Sequence, residues 1–251
     1  MPAASRRVVA IGDIHGDFDA FTGILQRAHL IDPTLRWIGA DTTLVQLGDF
    51  LDRGPKARDV MDLLMSLQKT APRQGGKVIV LMGNHETMNL YGDYRYVTPD
   101  DYATFTNEKA GSRARSLYPS RPEGFAARCD AFAPEGRYGK WIRGLPAIVR
   151  IDDSIFLHGG ISPDLASYSI DKLNESIASE IHSFDSFKQY MVDRKLALPC
   201  STLDELAAAA QTASKKATGK DAEIMKAFLR FPAWLSIHEK GPLWFRGYPE
   251  W

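Results

Sequence analysis

A chain of 251 residues with 44% hydrophobic side chains has apolar material for one large α/β domain. Its 31 basic and 31 acidic residues cancel, so no net field draws in nucleic acid or an anionic membrane, and recognition of a phosphate must come from locally placed groups. Two cysteines, Cys129 and Cys200, too few for a disulfide framework, and no apolar run near the ~20 residues of a membrane helix point to a soluble chain in a reducing compartment, the cytoplasm.

Residues 7–12 read as a buried strand that starts almost at the amino end, where the apolar stretch is too short for a secretory segment. The strand runs into GDIHG at 12–16, and 17–30 is a predicted helix with Phe18, Phe21, Ile24, Leu25 and Ala28 on one face. A second such unit follows: a strand at 43–48, GDFLDRG at 48–54, and a helix at 56–69 carrying Val60, Leu63, Leu64 and Leu67. A third strand at 77–82 ends in GNHE at 83–86. Asp13, His15, Asp49, Asn84 and His85 are thereby expected at strand ends along one edge of a sheet, where α/β proteins bind ligands.

From about 90 to 140 tyrosines, prolines and charges replace that pattern, with one amphipathic helix near 122–132, which reads as an insertion covering the site. Strands return at 146–151 and 154–158, turned by Asp152-Asp153, and the second delivers His158 to the same edge. Helical patterns at about 170–195 and 203–230 make a helical region over about 165–235, broken by polar residues at 214–221. The last block is Pro242-Leu243-Trp244-Phe245-Arg246-Gly247-Tyr248.

Phosphoester hydrolysis needs a nucleophile, neutralised charge on the phosphoryl oxygens and a proton for the leaving alkoxide. Two metals ~3.5–4 Å apart supply the first two, and holding them that close calls for a shared carboxylate, for which Asp49 is the natural bridge. Asp13 and His15 can reach one metal if the backbone bends at Gly12 and Gly16. Asn84 offers a neutral oxygen to the second metal, His158 would complete its shell, and His85 can face the leaving group as general acid. Such an acid needs a partner carboxylate, for which Asp52 is the candidate, and Arg53 beside it can grip phosphate oxygens with its planar fork. Plainer readings stand beside these: Asp52 and Arg53 as a surface ion pair, Arg246 as part of a solvated chain end, and Tyr91, Tyr94, Tyr96 and Tyr102 as packing for the insertion instead of a substrate groove. His29, His182 and His238 read as structural or exposed.

Together with HGGISPDL from residue 158, these blocks resemble the calcineurin-like metallophosphoesterase superfamily and its PPP-type phosphatases. The insertion and the PLWFRGY block are most similar to the Shewanella-like phosphatases. The resemblance runs from residue 7 to about 165 and resumes at 241–248. It implies an α/β fold with a central β-sandwich of mixed sheets flanked by helices, spanning 1–251 as one domain. It also implies Asp13 and His15 on the first metal, Asp49 bridging, Asn84 and His158 on the second, His85 as acid oriented by Asp52, and Arg53 and Arg246 as phosphate clamps. The implied activity is hydrolysis of phosphomonoesters on a phosphoprotein or phosphopeptide, serine/threonine or tyrosine, by a metal-bridging hydroxide; these ligands suit manganese, iron and zinc alike. Two alternatives stay open: a diadenosine polyphosphate hydrolase, and a catalytically impaired binding module. The second arises because the family carries one further histidine ligand in a downstream Gly-His motif, whereas this sequence stops at Trp251 and is expected to lack the last strands.

Overall fold

The three short apolar runs pair side by side as a parallel sheet, Val8–Ile11 (β1), Thr43–Gln46 (β2) and Lys77–Val80 (β3), in that order. Parallel neighbours need a crossover, and the helices Phe18–Arg27 (α1) and Ala57–Thr70 (α2) supply it. In this computed structural model, residues 6–107 and 116–248 are described. Residues 1–5, 108–115 of the insertion and 249–251 lie outside the described residues, and with them the expectations about the amino end and the stop at Trp251.

Alternation along the strands buries both faces of the sheet. Leu44, Val78 and Val80 face the main core with Phe21, Leu25, Val60 and Leu64, whereas Val45, Ile79 and Leu81 form a second cluster. Val149, Ile151 and Phe156 close that second cluster from an antiparallel hairpin, Ile148–Ile151 (β4) with Ser154–Leu157 (β5). Parallel sheet and antiparallel hairpin therefore face each other across that cluster; helices cover the other face of the parallel sheet and the Ile148 and Leu157 end of the hairpin, while Ile155 stays exposed. The strands are shorter than the sequence suggests, but the ladder continues past them: Leu47 N–H donates to Ile11 O and Leu81 N–H to Gln46 O, each at 2.8 Å.

GNHE opens a helix, Asn84–Leu90 (α3), so Asn84 and His85 sit in its first turn and not on a strand end. Seven residues make two turns, too few to show a 3.6-residue period in a stretch that is buried throughout. The insertion holds Pro99–Ala103 (α4), Phe125–Phe132 (α5) and Arg137–Arg143 (α6), of which the sequence pattern showed only the second.

The helical region comprises Ile170–Asp193 (α7), Leu203–Ser214 (α8) and Gly219–Phe228 (α9). In α7, Leu173, Ile177, Ile181, Phe184, Phe187 and Met191 line one buried face at helical spacing. Its polar side chains fasten the segments that carry the site. Asn174 Oδ1 accepts the Ala147 and Ile148 N–H groups and its Nδ2 donates to Ile148 O, all within 3.0 Å, which fixes the start of β4. Glu180 accepts the Leu235 and Ser236 N–H groups at 2.8 and 2.9 Å, and Gly159 N–H reaches Pro242 O, so the late arginine block lies beside His-Gly-Gly. No helix among the described residues is long and apolar enough to cross a membrane.

Candidate metal centre

At the carboxyl edge of the sheet the chain leaves β1 and β2 through strained turns. His15, Asp49, Asp52 and Arg53 all adopt positive φ, 48°, 55°, 67° and 65°, a backbone state that ordinary side chains hold only where the surroundings dictate it. The bend at the first block is thus taken by His15 itself and Gly16 (φ 67°), and Gly12 does not share it. Gly48, at φ 94°, lets the β2 and β3 loops touch, since a Cβ there would run into the backbone of Gly83. Gly48→Ala is expected to lower unfolding free energy by about 2–3 kcal/mol, from left-handed strain plus overpacking, measured by urea denaturation.

Asp49 stands at the centre. It is buried, its Oδ1 accepts the His85 backbone N–H at 3.0 Å, and its Oδ2 lies 3.7 Å from His15 Nε2, 3.4 Å from His158 Nε2 and 3.9 Å from His85 Nε2. Each of the three imidazoles is anchored through its other nitrogen. His15 Nδ1 donates to Leu51 O at 2.8 Å, His158 Nδ1 to Leu47 O at 3.1 Å, and His85 Nδ1 to Asp52 Oδ2 at 2.7 Å. A carbonyl or carboxylate can only accept, so each Nδ1 carries a proton and each Nε2 turns a lone pair inward. Burial pushes the His158 pKa below its ordinary value, which keeps that ring neutral.

This donor set fits cations. His15 Nε2 is buried with no hydrogen-bond partner among the described residues, and Asn84 Oδ1, 2.8 Å from His158 Nε2, adds a further acceptor beside Asp49. Acceptor atoms turned toward one another are reconciled by a positive ion between them. Two groups of ligand atoms each lie within 4.8 Å of one another, His15 with Asp49 and His85, and Asp13 with Asp49 and His158. Asp49 belongs to both. Asp13, about half exposed, lies 3.8 Å from both His15 Nε2 and His158 Nδ1.

Asp52 is only 1% exposed, which removes the surface ion-pair reading for it. Arg53 is exposed, and its Nη2 is 3.3 Å from His85 Nε2 while its guanidinium lies over Tyr96. Arg246 Nη2 donates to His158 Nε2 at 3.0 Å, so it shares the site's edge; its other bonds, to Leu243 O and Phe245 O, are long at 3.4 and 3.3 Å. A cavity of about 690 Å³ opens over Arg53, Asn84, His85, Tyr96 and Trp244. Tyr91, Tyr94, Tyr96 and Tyr102 all border this cavity; Tyr96 stands over His85 at 5.1 Å, while Tyr91 and Tyr102 are largely buried at its wall.

Two residues here carry weight that the sequence reading did not assign. Gln46, fully buried at the end of β2, donates to Gly12 O and Gly48 O and accepts the Gly48 N–H, clasping the first two turns together. A lone amide closing an apolar strand run was its only signal. Glu86, also fully buried, accepts four backbone N–H groups: Asp49 and Gly83 on Oε2 at 2.7 and 2.8 Å, Phe50 and Leu51 on Oε1 at 3.1 and 3.2 Å. Burial first, and then the Asp49 carboxylate, push the Glu86 acid well above the ordinary carboxylate range, against the opposing pull of its amide donors. Glu86→Gln would set an NH2 against backbone N–H groups. It is expected to lower unfolding free energy by about 3 kcal/mol, read as a lower urea midpoint at unchanged slope.

Comparison with known proteins adds a family. The model described as calcineurin-like phosphoesterase matches residues 6–206. Shewanella-like protein phosphatase 1 of Plasmodium berghei (strain Anka) is 34% identical over 191 residues, 74% of this chain and 49% of that protein. Shewanella-like protein phosphatase 2 of Arabidopsis thaliana is 33% identical over 204 residues, 71% of this chain and 52% of that one. The chain spans about half the length of these curated relatives. The solved structure of a cold-active protein-tyrosine phosphatase of a psychrophile Shewanella sp. superimposes with a TM-score of 0.62 at 26% identity, over 97% of this chain and 57% of the other.

Proposed function

Since the chain belongs to the calcineurin-like phosphoesterase family, we propose that it is a dinuclear metal-dependent phosphomonoesterase acting on phosphoproteins. The observation that carries this reading is the position of Asp49 Oδ2, within 3.9 Å of three imidazole Nε2 atoms and common to both groups of ligand atoms. Asp13 and His15 would hold one ion, Asn84 and His158 the other, with Asp49 between them, and manganese, iron or zinc suits the set. Divalent ions bound there supply positive charge for the phosphoryl oxygens and acidity for an attacking water.

The chain's own groups do the rest. Arg53 and Arg246 flank the opening and grip the non-reacting phosphoryl oxygens, for which Arg246 leaves His158 and its long carbonyl contacts. Asp52 holds the His85 imidazole by Nδ1, so that Nε2 faces the cavity and, once it has taken up a proton, delivers it to the departing alkoxide or phenoxide. That buried carboxylate partner, where His15 and His158 have only carbonyls, supports His85 as acid over His85 as ligand. Glu86 and Gln46 keep the turns in register and touch no substrate.

A phosphoprotein substrate is supported by the protein-phosphatase relatives, by the protein-tyrosine phosphatase among the solved structures, and by the wide cavity roofed by the insertion. Turnover measured side by side on phosphoserine, phosphothreonine and phosphotyrosine peptides and on diadenosine tetraphosphate tests it. Peptide hydrolysis with little nucleotide cleavage is expected; preference for the dinucleotide would replace this reading with the polyphosphate hydrolase.

A further inference from the structure

Arg128, in the insertion helix α5, is 1% exposed and packs over Phe132 at 4.3 Å. Its Nε donates to Asp101 Oδ2 at 2.8 Å and its Nη2 to Asn89 Oδ1 at 2.7 Å. A guanidinium offers no acceptor, so Asn89 must turn its carbonyl oxygen toward Arg128, and its NH2 then points the other way. That NH2 lies 3.0 Å from both Asp52 oxygens and 2.9 Å from His85 O. Asp52 thus receives Asn89 on one side and the His85 Nδ1 proton on the other.

We propose that Arg128, acting through Asn89, is a positioning residue for the Asp52–His85 pair, so that the insertion fixes the orientation of the proton-donating imidazole. The proposal rests on the reading of His85 as acid. Stability alone does not account for the arrangement: a buried ion pair is often no better than an apolar pair of similar volume, and Asp101 Oδ1 has no hydrogen-bond partner among the described residues. What an apolar pair could not do is donate to Asn89 Oδ1 and so clamp the far end of the amide whose NH2 meets Asp52. Without Arg128 the buried Asn89 oxygen has lost its donor and the amide is no longer held at this distance from Asp52, so the His85 ring loses part of what fixes its direction.

The test uses the metal-loaded full chain with two aryl phosphates, 2,4-dinitrophenyl phosphate, whose phenolate leaves unaided, and phenyl phosphate, whose phenolate needs the proton. The variants are Asn89→Ala, Arg128→Lys and the pair Asp101→Leu/Arg128→Met, which removes both buried charges together and so keeps the fold. Each is expected to lower kcat on phenyl phosphate by about 30-fold or more and on the dinitrophenyl ester by less than about 3-fold, with KM within about 2-fold. A second readout needs no metal: in 15N-histidine-labelled protein, the His85 Nδ1 proton, assigned by its absence in His85→Asn, should be protected from exchange in the parent and exposed in the variants. Equal losses on both esters with the Nδ1 signal retained would overturn the positioning role. A His85→Asn protein impaired equally on both esters would instead overturn the acid reading on which the proposal stands.

Discussion

A His85→Asn protein is expected to bind metal as the parent does while its kcat on phenyl phosphate falls by about 10³-fold, about 4 kcal/mol of lost transition-state stabilisation. The size follows from what the imidazole does in this geometry. Its Nδ1 is tied to a buried carboxylate at 2.7 Å, so the ring cannot rotate, and its Nε2 faces the cavity side beside Arg53, where it must take up a proton before it can give one to the leaving group. Asparagine can keep a hydrogen bond to Asp52 but carries no proton that it can give up. Because Asn84 and His158 hold their metal-facing atoms without His85, metal content should change little. Full turnover by this variant would remove His85 from the chemistry.

Asp49→Asn should fail in a different way. Asp49 Oδ1 accepts a backbone N–H, which an asparagine oxygen can still do, but the other atom becomes an NH2 facing three imidazole lone pairs. The substitution puts a donor where the native protein gathers acceptors, so the metal-free variant should be at least as stable as the metal-free parent. It also removes the one negative charge common to both ligand groups. Bound metal should drop to one ion or none per chain, and turnover by on the order of 10³-fold or more. The parent's melting temperature should rise with added manganese or zinc, as ligand linkage requires, and the variant's should not. A variant that melts lower without metal yet keeps its metal response would contradict the central place given to Asp49.

Much of this arrangement was legible in the sequence because the chemistry is carried by residues close to strand ends. A four-residue apolar strand followed by Gly-Asp fixes where Asp13 and Asp49 emerge, and the hairpin around Asp152-Asp153 returns His158 to the same edge. What escaped is what depends on contact between distant segments. Glu86 sits in a block already singled out, yet three of its four amide partners, Asp49, Phe50 and Leu51, lie 35–37 residues before it and meet it only after folding, so no local pattern announces them. Asn89 and Arg128 are separated by 39 residues, and a polar insertion gives no periodic sign that one of its arginines is fully buried. The helix at Asn84–Leu90 was missed for the opposite reason: a helix buried all round has no amphipathic face to display. For the long helix α7 the period was plain, but not its duty, since Asn174 and Glu180 act by holding backbone elsewhere.

The central claim is that one chain gathers two cations around Asp49 and uses them on phosphomonoesters. Metal content by elemental analysis, taken on the same sample whose turnover of a phosphopeptide is measured before and after chelation, tests it most directly. Two ions per chain, with turnover that chelation abolishes and readdition of manganese or zinc restores, is the predicted result; a single ion or none with no turnover, or turnover indifferent to chelation, would contradict it.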